Sequence, residues 1–281
     1  MKSLVIGFAS GMGNCVFMLP AVKALKIMGY RISLYVQTDF DTSPLWRRCS
    51  YTDEIVTDAR VNGSEMLCGQ WRPAAWKGRV VTQYQIPTIY YCEWKSNFRL
   101  AQDRGWKTEI PDVSDWCRDL DRDKRWDVGI APGSKGGTWT RKRWPGMEAV
   151  AGRLLELGKS VAVFGLPEDG VESVPGWHVD TRNIGNLPDA LAGCRILIGN
   201  DSGVTQLASS LGIPVVIVYT ASSETKTPPI QEPNVKIAAD VTCRPCVSTP
   251  RWHGCADWIC HRIDPEKVVA AGLELLNKAK E

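Results

Sequence analysis

Apolar and polar positions along the chain fall into two successive alternations of strand and helix patterns. Residues 4–10 (LVIGFAS) are continuously apolar and end in the turn Gly11-Met12-Gly13-Asn14, as a strand buried on both faces would. Val16, Leu19, Ala21, Val22, Leu25 and Ile27 then suit a helix, with Pro20 in its early turns and Gly29 closing it. Residues 31–37 (RISLYVQ) form the second strand pattern. Strand, helix and strand in that order predict a right-handed crossover and a parallel sheet. A further strand is expected over 80–85 and a helix over 89–105. The stretch from Lys107 to Arg125 is dense in charge, holds Pro111, and reads as an interdomain linker.

The alternation restarts at WDVGIAP (126–132), a strand running into a glycine-rich loop. Helices are predicted over 145–157, 188–193 and 203–211, and strands over 160–165, 194–200 and 214–220. After a proline-rich loop comes a last helix, with Asp264 as its cap, Pro265 as its first residue, and Val268, Val269, Leu273 and Leu276 on its apolar face. Two α/β units joined by a charged linker predict two facing domains with a cleft between them. The expected boundaries are an N-terminal domain 1–122, a C-terminal domain 123–263, and a final helix 264–281 that packs back on the N-terminal domain.

Composition narrows the class. The chain has 281 residues, 44% hydrophobic and 23% charged, which excludes wholesale disorder. A net charge of +3 does not single out nucleic acid as the main ligand. No apolar run approaches the length of a membrane span. The opening MKSLVIGFASGMGN is too short and too broken by glycine for a secretory signal, so a cytoplasmic location is expected. Most of the twelve tryptophans are expected in the core. Of ten cysteines, six are scattered in apolar surroundings and read as buried thiols. Cys243, Cys246, Cys255 and Cys260 form a cluster whose spacing suits a structural zinc; disulfides and free thiols are the alternatives.

Three glycine-bearing segments carry candidate chemistry. In GMGN the third glycine of a dinucleotide fingerprint is replaced by Val16, so a dehydrogenase reading fails. What is left is either a ligand-binding turn at the carboxyl edge of a sheet or a tight structural turn. In APGSKGGTWTRKRWP (131–145), Gly133, Gly136 and Gly137 let backbone approach a ligand. Ser134, Thr138 and Thr140 add hydroxyls, and Lys135, Arg141, Lys142 and Arg143 add charge, which makes an anion site or a solvated basic loop. No Gly-Lys-Ser/Thr run is present, which excludes a Walker-type loop. In GNDSGVTQLASSLGIPVVIVY (199–219), Ser202-Gly203 opens a helix whose free amides suit a phosphate, while Asp201 could instead cap that helix.

These segments together resemble glycosyltransferase family nine, the lipopolysaccharide heptosyltransferases and their relatives. GNDSGVTQLASSLGIPVVIVY looks like that family's nucleotide-sugar motif, and GMGNCVFMLPAVKALK like its opening helix. APGSKGGTWTRKRWP resembles its donor-phosphate loop, and CRPCVSTPRWHGCADWICHRIDPEKV its cysteine-bearing C-terminal segment. Residues 40–125 show little resemblance. The resemblance implies a GT-B architecture of two Rossmann-like domains, with the acceptor on the N-terminal domain and a nucleotide-diphosphate-sugar on the C-terminal one. It implies inverting transfer without a catalytic metal or other cofactor. Ser134 and Lys142 would contact phosphate, Asp201, Ser202, Gly203 and Val204 would hold the diphosphate and sugar, and Gly13 and Lys135 would complete the donor set. The family's general base is an aspartate where this chain has Asn14, and an amide cannot take a proton at neutral pH. Asp39 and Asp41, after the second strand, are the expected substitutes, with Glu93 behind them. Gln206 stands where the family commonly has histidine. The acceptor would be a lipopolysaccharide-core sugar, another glycan, or a modified base in DNA. The rival readings are a non-catalytic nucleotide-sugar-binding protein and a sugar-nucleotide epimerase.

Overall fold

The computed structural model describes residues 2–56, 65–69, 73, 74, 78–82, 91–247 and 249–279. The chain divides into two compact units, Met1–Asp119 and Leu120–Glu281.

The first unit runs β1 (Ser3–Ser10), α1 (Met12–Val16), α2 (Leu19–Ile27), β2 (Arg31–Thr38), α3 (Ser43–Trp46), β3 (Glu54–Val56), β4 (Met66–Cys68), β5 (Val80–Thr82) and α4 (Glu93–Gln102). Its strands pair in the order β3-β2-β1-β4-β5, all in parallel. The predicted first helix is interrupted at Phe17 and Met18, so Pro20 occupies the first turn of α2, where its missing N–H costs nothing. Gly29 closes the segment at a φ of 85°. Ile27, expected on the apolar face, is instead exposed. Residues 83–85 and 89–90 of two predicted elements lie outside the described residues.

Two tryptophans, Trp46 and Trp116, fill this core; with Trp144 and Trp252 of the second unit they are the buried ones among the described residues, fewer than the expected majority. Phe8 meets Trp46 edge-on at 4.8 Å, and Trp46 meets Trp116 at 5.5 Å. Trp116 and Val113 are fully buried, and the backbones of Cys117 and Cys49, both free thiols, pair in an isolated antiparallel β-bridge. The expected linker is therefore corrected: up to Asp119 it belongs to the first unit. The charges that follow are committed locally. Lys124 Nζ donates to the carbonyls of Ala192 (2.7 Å) and Cys194 (2.8 Å), and Arg122 to that of Leu211, so cations sit at helix C-termini where carbonyls lack partners.

The second unit runs β6 (Trp126–Ala131), a 3₁₀ turn (Gly137–Lys142), α5 (Met147–Glu156), β7 (Val161–Gly165), β8 (Trp177–Asp180), α6 (Leu187–Ala192), β9 (Cys194–Asn200), α7 (Gly203–Ser210), β10 (Val215–Tyr219), β11 (Asn234–Ala238), α8 (Pro250–Gly254) and α9 (Pro265–Lys278). The order β11-β10-β9-β6-β7-β8, again all parallel, is that of a doubly wound dinucleotide-type sheet. Both units are thus Rossmann-like, the fold class expected. Asp264 caps α9 by accepting from the Glu266 amide at 3.0 Å. Val268, Val269, Leu275 and Leu276 of α9 enter the core with Ile196, Ile198, Val216 and Val218. This last helix is thus part of the second unit's own core. The strand pattern missed β3, β4, β8 and β11, which are only three to five residues long, too short to show a period. Among the described residues, no helix is long and apolar enough to cross a membrane.

Candidate functional site

In a doubly wound sheet the loops after the two strands flanking the order reversal diverge, and ligands bind in the crevice they leave. In the second unit those strands are β6 and β9, so the fold brings the loops after Ala131 and Asn200 together. They carry the two motifs singled out above.

Asn200 fastens them. It is fully buried, its Nδ2 donates to the Pro132 carbonyl at 2.5 Å, and its Oδ1 accepts from the Trp144 amide at 3.0 Å. Close approach needs glycine here: a Cβ on Gly199 would stand 2.5 Å from Thr205 Oγ1 and 3.0 Å from the Ala131 carbonyl. Lys142 Nζ and Asp201 Oδ2 form an ion pair at 2.7 Å, with side chains 15% and 5% exposed. Asp201 therefore does not cap α7, which corrects that alternative. The cap position is Ser202, in extended backbone, with no side-chain cap; its Oγ lies 3.2 Å from Thr205 Oγ1, which donates to the Asn200 carbonyl. The first turn of α7, from Gly203 and Val204 on, thus presents backbone amides and the positive end of the helix dipole beside a hydroxyl.

Ser134 is placed in the other half of the crevice. Its Oγ donates to the Trp139 carbonyl at 2.9 Å and lies 3.3 Å from Arg143 Nε. Arg143 also pairs with Asp169 at 2.7 Å. Lys135 is exposed. Of the predicted donor residues, Lys142, Asp201, Ser202, Gly203 and Val204 cluster at the end of β9, and Ser134 lies in the loop after β6. Gly13 belongs to the first unit and contributes backbone to α1.

Several residues of this region were given no role by the sequence. Thr220 Oγ1 donates to the Lys142 carbonyl at 3.1 Å, and Trp144 Nε1 to that of His261 at 3.0 Å. Arg244 donates to the carbonyls of Thr220 and Ser222 and pairs with Glu224 at 2.7 Å. Burial alone would raise the Glu224 pKa, but the Arg244 hydrogen bonds outweigh it and hold the carboxyl below its ordinary range. Burial lowers the pKa of His261. Gln206 faces inward and donates to the Thr227 carbonyl at 3.0 Å, so it braces a loop.

In the first unit the order reverses between β1 and β4. Asn14 lines a small cavity there with Gly7, Ala9, Met18, Gly69, Glu93 and Asn97. Asp41 is not among the residues that line this cavity. It is exposed, and its Oδ1 accepts from the Ser43 amide at 2.9 Å, which lowers its pKa and commits it to the start of α3. Asp39 is exposed and stands beside the Gly11 turn.

Cys246 and Cys260 are buried, and burial with neighbouring thiols raises both; Cys260 is pushed up to about 11. Among the described residues, no three or more His, Cys, Asp or Glu side chains are placed to hold a metal ion, so Cys243, Cys246, Cys255 and Cys260 offer no ready-made zinc site.

Comparison with known proteins agrees with this build. The chain is similar to lipooligosaccharide heptosyltransferase 2 of Haemophilus influenzae, 28% identical over 37% of this chain and 34% of the relative. It is likewise similar to lipopolysaccharide heptosyltransferase 2 of Escherichia coli, 31% identical over 37% of this chain and 33% of that one. The chain thus spans about a third of the length of the curated relatives it matches. In fold it is similar to the E. coli ADP-heptose lipopolysaccharide heptosyltransferase II structure, with a TM-score of 0.72 and 19% identity over 100% of both chains. The model of glycosyltransferase family 9 (heptosyltransferase) matches residues 90–256, which include both loops of the second unit's crevice. The chain belongs to glycosyltransferase family 9.

Proposed function

We propose that this protein transfers a sugar from a nucleotide-diphosphate-sugar to a hydroxyl acceptor. The observation that carries the reading is the crevice between β6 and β9, where the Asn200 clamp sets the uncapped start of α7 beside Ser202 and the Lys142–Asp201 pair. As the bond from the anomeric carbon to the diphosphate breaks, negative charge grows on the leaving oxygens. Fixed amides and a hydroxyl in a partly dry site stabilise that charge without reorganising. Lys142 adds positive charge once Asp201 turns to the sugar hydroxyls. The donor is thus assigned to the second unit and the acceptor to the first, and the chemistry needs no metal.

The relatives direct the choice of substrates. ADP-heptose is the first donor to test, because the similar E. coli structure is that of an ADP-heptose enzyme. A lipopolysaccharide-core sugar is the first acceptor, after the heptosyltransferase 2 relatives.

Calorimetric titration with ADP, followed by transfer assays over a panel of nucleotide sugars, tests the proposal. Donor binding with product formation supports it. Binding without consumption of any donor makes the protein a nucleotide-sugar-binding module. No binding at all overturns the assignment of the crevice.

A further inference from the structure

Transfer to a hydroxyl releases a proton, and the first unit buries a carboxylate at its own order reversal. Glu93, the first residue of α4, is 3% exposed. With Asn14 and Asn97 it lines a cavity of about 10 Å³, walled by Gly7 and Ala9 of β1 and by Gly69 after β4. That is room for about one water molecule, and such a site needs several polar partners. Asn97 is 1% exposed; its Nδ2 donates to the Phe17 carbonyl at 3.4 Å, and its Oδ1 has no hydrogen-bond partner. A buried acceptor left in that state is costly, so the cavity calls for an O–H donor. Gly69 keeps the carboxamide at this wall, because a Cβ there would stand 2.3 Å from Asn97 Oδ1.

We infer that Glu93 is the general base of the proposed transfer, drawing the acceptor proton through one water held between its carboxylate and Asn97 Oδ1. The inference rests on the transferase reading. The other carboxylates at this sheet edge are poorer placed: Asp41 is committed to the Ser43 amide, and Asp39 is exposed. Asn14 can orient the water but cannot take its proton. In the step, the acceptor O–H gives its proton to the water as the water gives one to Glu93. The acceptor oxygen bonds to the anomeric carbon, and the bond from that carbon to the phosphate oxygen breaks with its electron pair leaving on the diphosphate. Glu93 ends neutral and returns the proton to solvent.

Glu93→Gln keeps the shape and removes the base. Turnover is expected to fall by about 10²- to 10⁴-fold, the usual worth of a positioned base. ADP affinity measured by calorimetry stays unchanged, and the acid limb of the pH profile of kcat disappears. Adding Asn14→Asp to that variant restores part of the rate by returning a carboxylate to the same cavity. A Glu93→Gln enzyme that turns over like the wild type, with the same pH profile, overturns the inference while leaving the transferase reading intact. A wild type that consumes no donor overturns both. Should Glu93→Gln fail to fold, Asn14→Asp in the intact chain decides. Two carboxyls lining one small cavity hinder each other's ionisation, so the acid limb must move to higher pH; an unmoved limb overturns the inference.

Discussion

Replacing Asn200 by alanine removes one side chain and two hydrogen bonds at once. The Trp144 N–H and the Pro132 carbonyl, both in buried residues, lose their partner. Each orphaned buried group costs about 1–3 kcal/mol, so the expected loss of stability is about 2–6 kcal/mol. Urea unfolding followed by tryptophan fluorescence reads it. With a slope of about 1–3 kcal/mol/M, a loss near the middle of that range moves the midpoint of the affected transition down by about 1–4 M. Hydrogen exchange at the Trp144 amide supplies the local reading. ADP affinity should fall with stability, because the loops after β6 and β9 lose their common fastening. A midpoint shift worth less than about 1 kcal/mol, below the cost of even one orphaned group, with a Trp144 amide still protected, would refute the reasoning.

Lys142→Met leaves Asp201 buried without its partner and is expected to cost about 3–5 kcal/mol of stability. Adding Asp201→Leu should recover most of that in a thermal melt yet leave transfer impaired; recovery of both would make the pair purely structural. At alkaline pH, burial raises the thiols of Cys49 and Cys194 from 9.0 to about 12, and Cys260 to about 11. The folded state holds these protons more tightly than the unfolded one. The stability they contribute is therefore fully present below pH 9 and lost as pH rises toward 11–12. Urea midpoints at successive pH values should fall across that window, and a flat or rising series contradicts the assignment. Transfer should survive dialysis against EDTA, and loss of rate restored by one added divalent ion would contradict the metal-free step.

The sheets were legible because their central strands are mostly apolar: LVIGFAS, WDVGIAP, CRILIGN and PVVIVYT each became a largely buried strand. The strands β8 and β11 were not, since WHVD is largely exposed and NVKIA only partly buried, and neither carries a continuous apolar run. The segment 107–125 misled for a related reason. Its charges suggested exposure, but a side chain can place its charge on a helix-end carbonyl and still join the fold, as Lys124 does. The candidate phosphate loops were found through glycine and hydroxyl spacing. Their partners Thr220 and Asp169 come from other loops and carry no pattern of their own.

The same distinction explains why the two units differ in what their order reversals hold. Both present a glycine turn after the first strand of a parallel sheet, so backbone amides and close approach come with the fold. What each crevice can do depends on which side chains arrive from elsewhere. In the second unit Asn200 spends its whole carboxamide on joining two loops, which leaves the start of α7 rigid and open to an anion. In the first, Asn97 spends only its amide nitrogen, and its oxygen faces a cavity shared with Glu93 and Asn14. A saturated asparagine makes a scaffold, and a half-saturated one calls for a partner. On the proposed transfer, leaving-group stabilisation is the task of the second unit and proton removal that of the first. Substitutions at Asn200 should be felt in donor affinity, and substitutions at Glu93 in turnover alone.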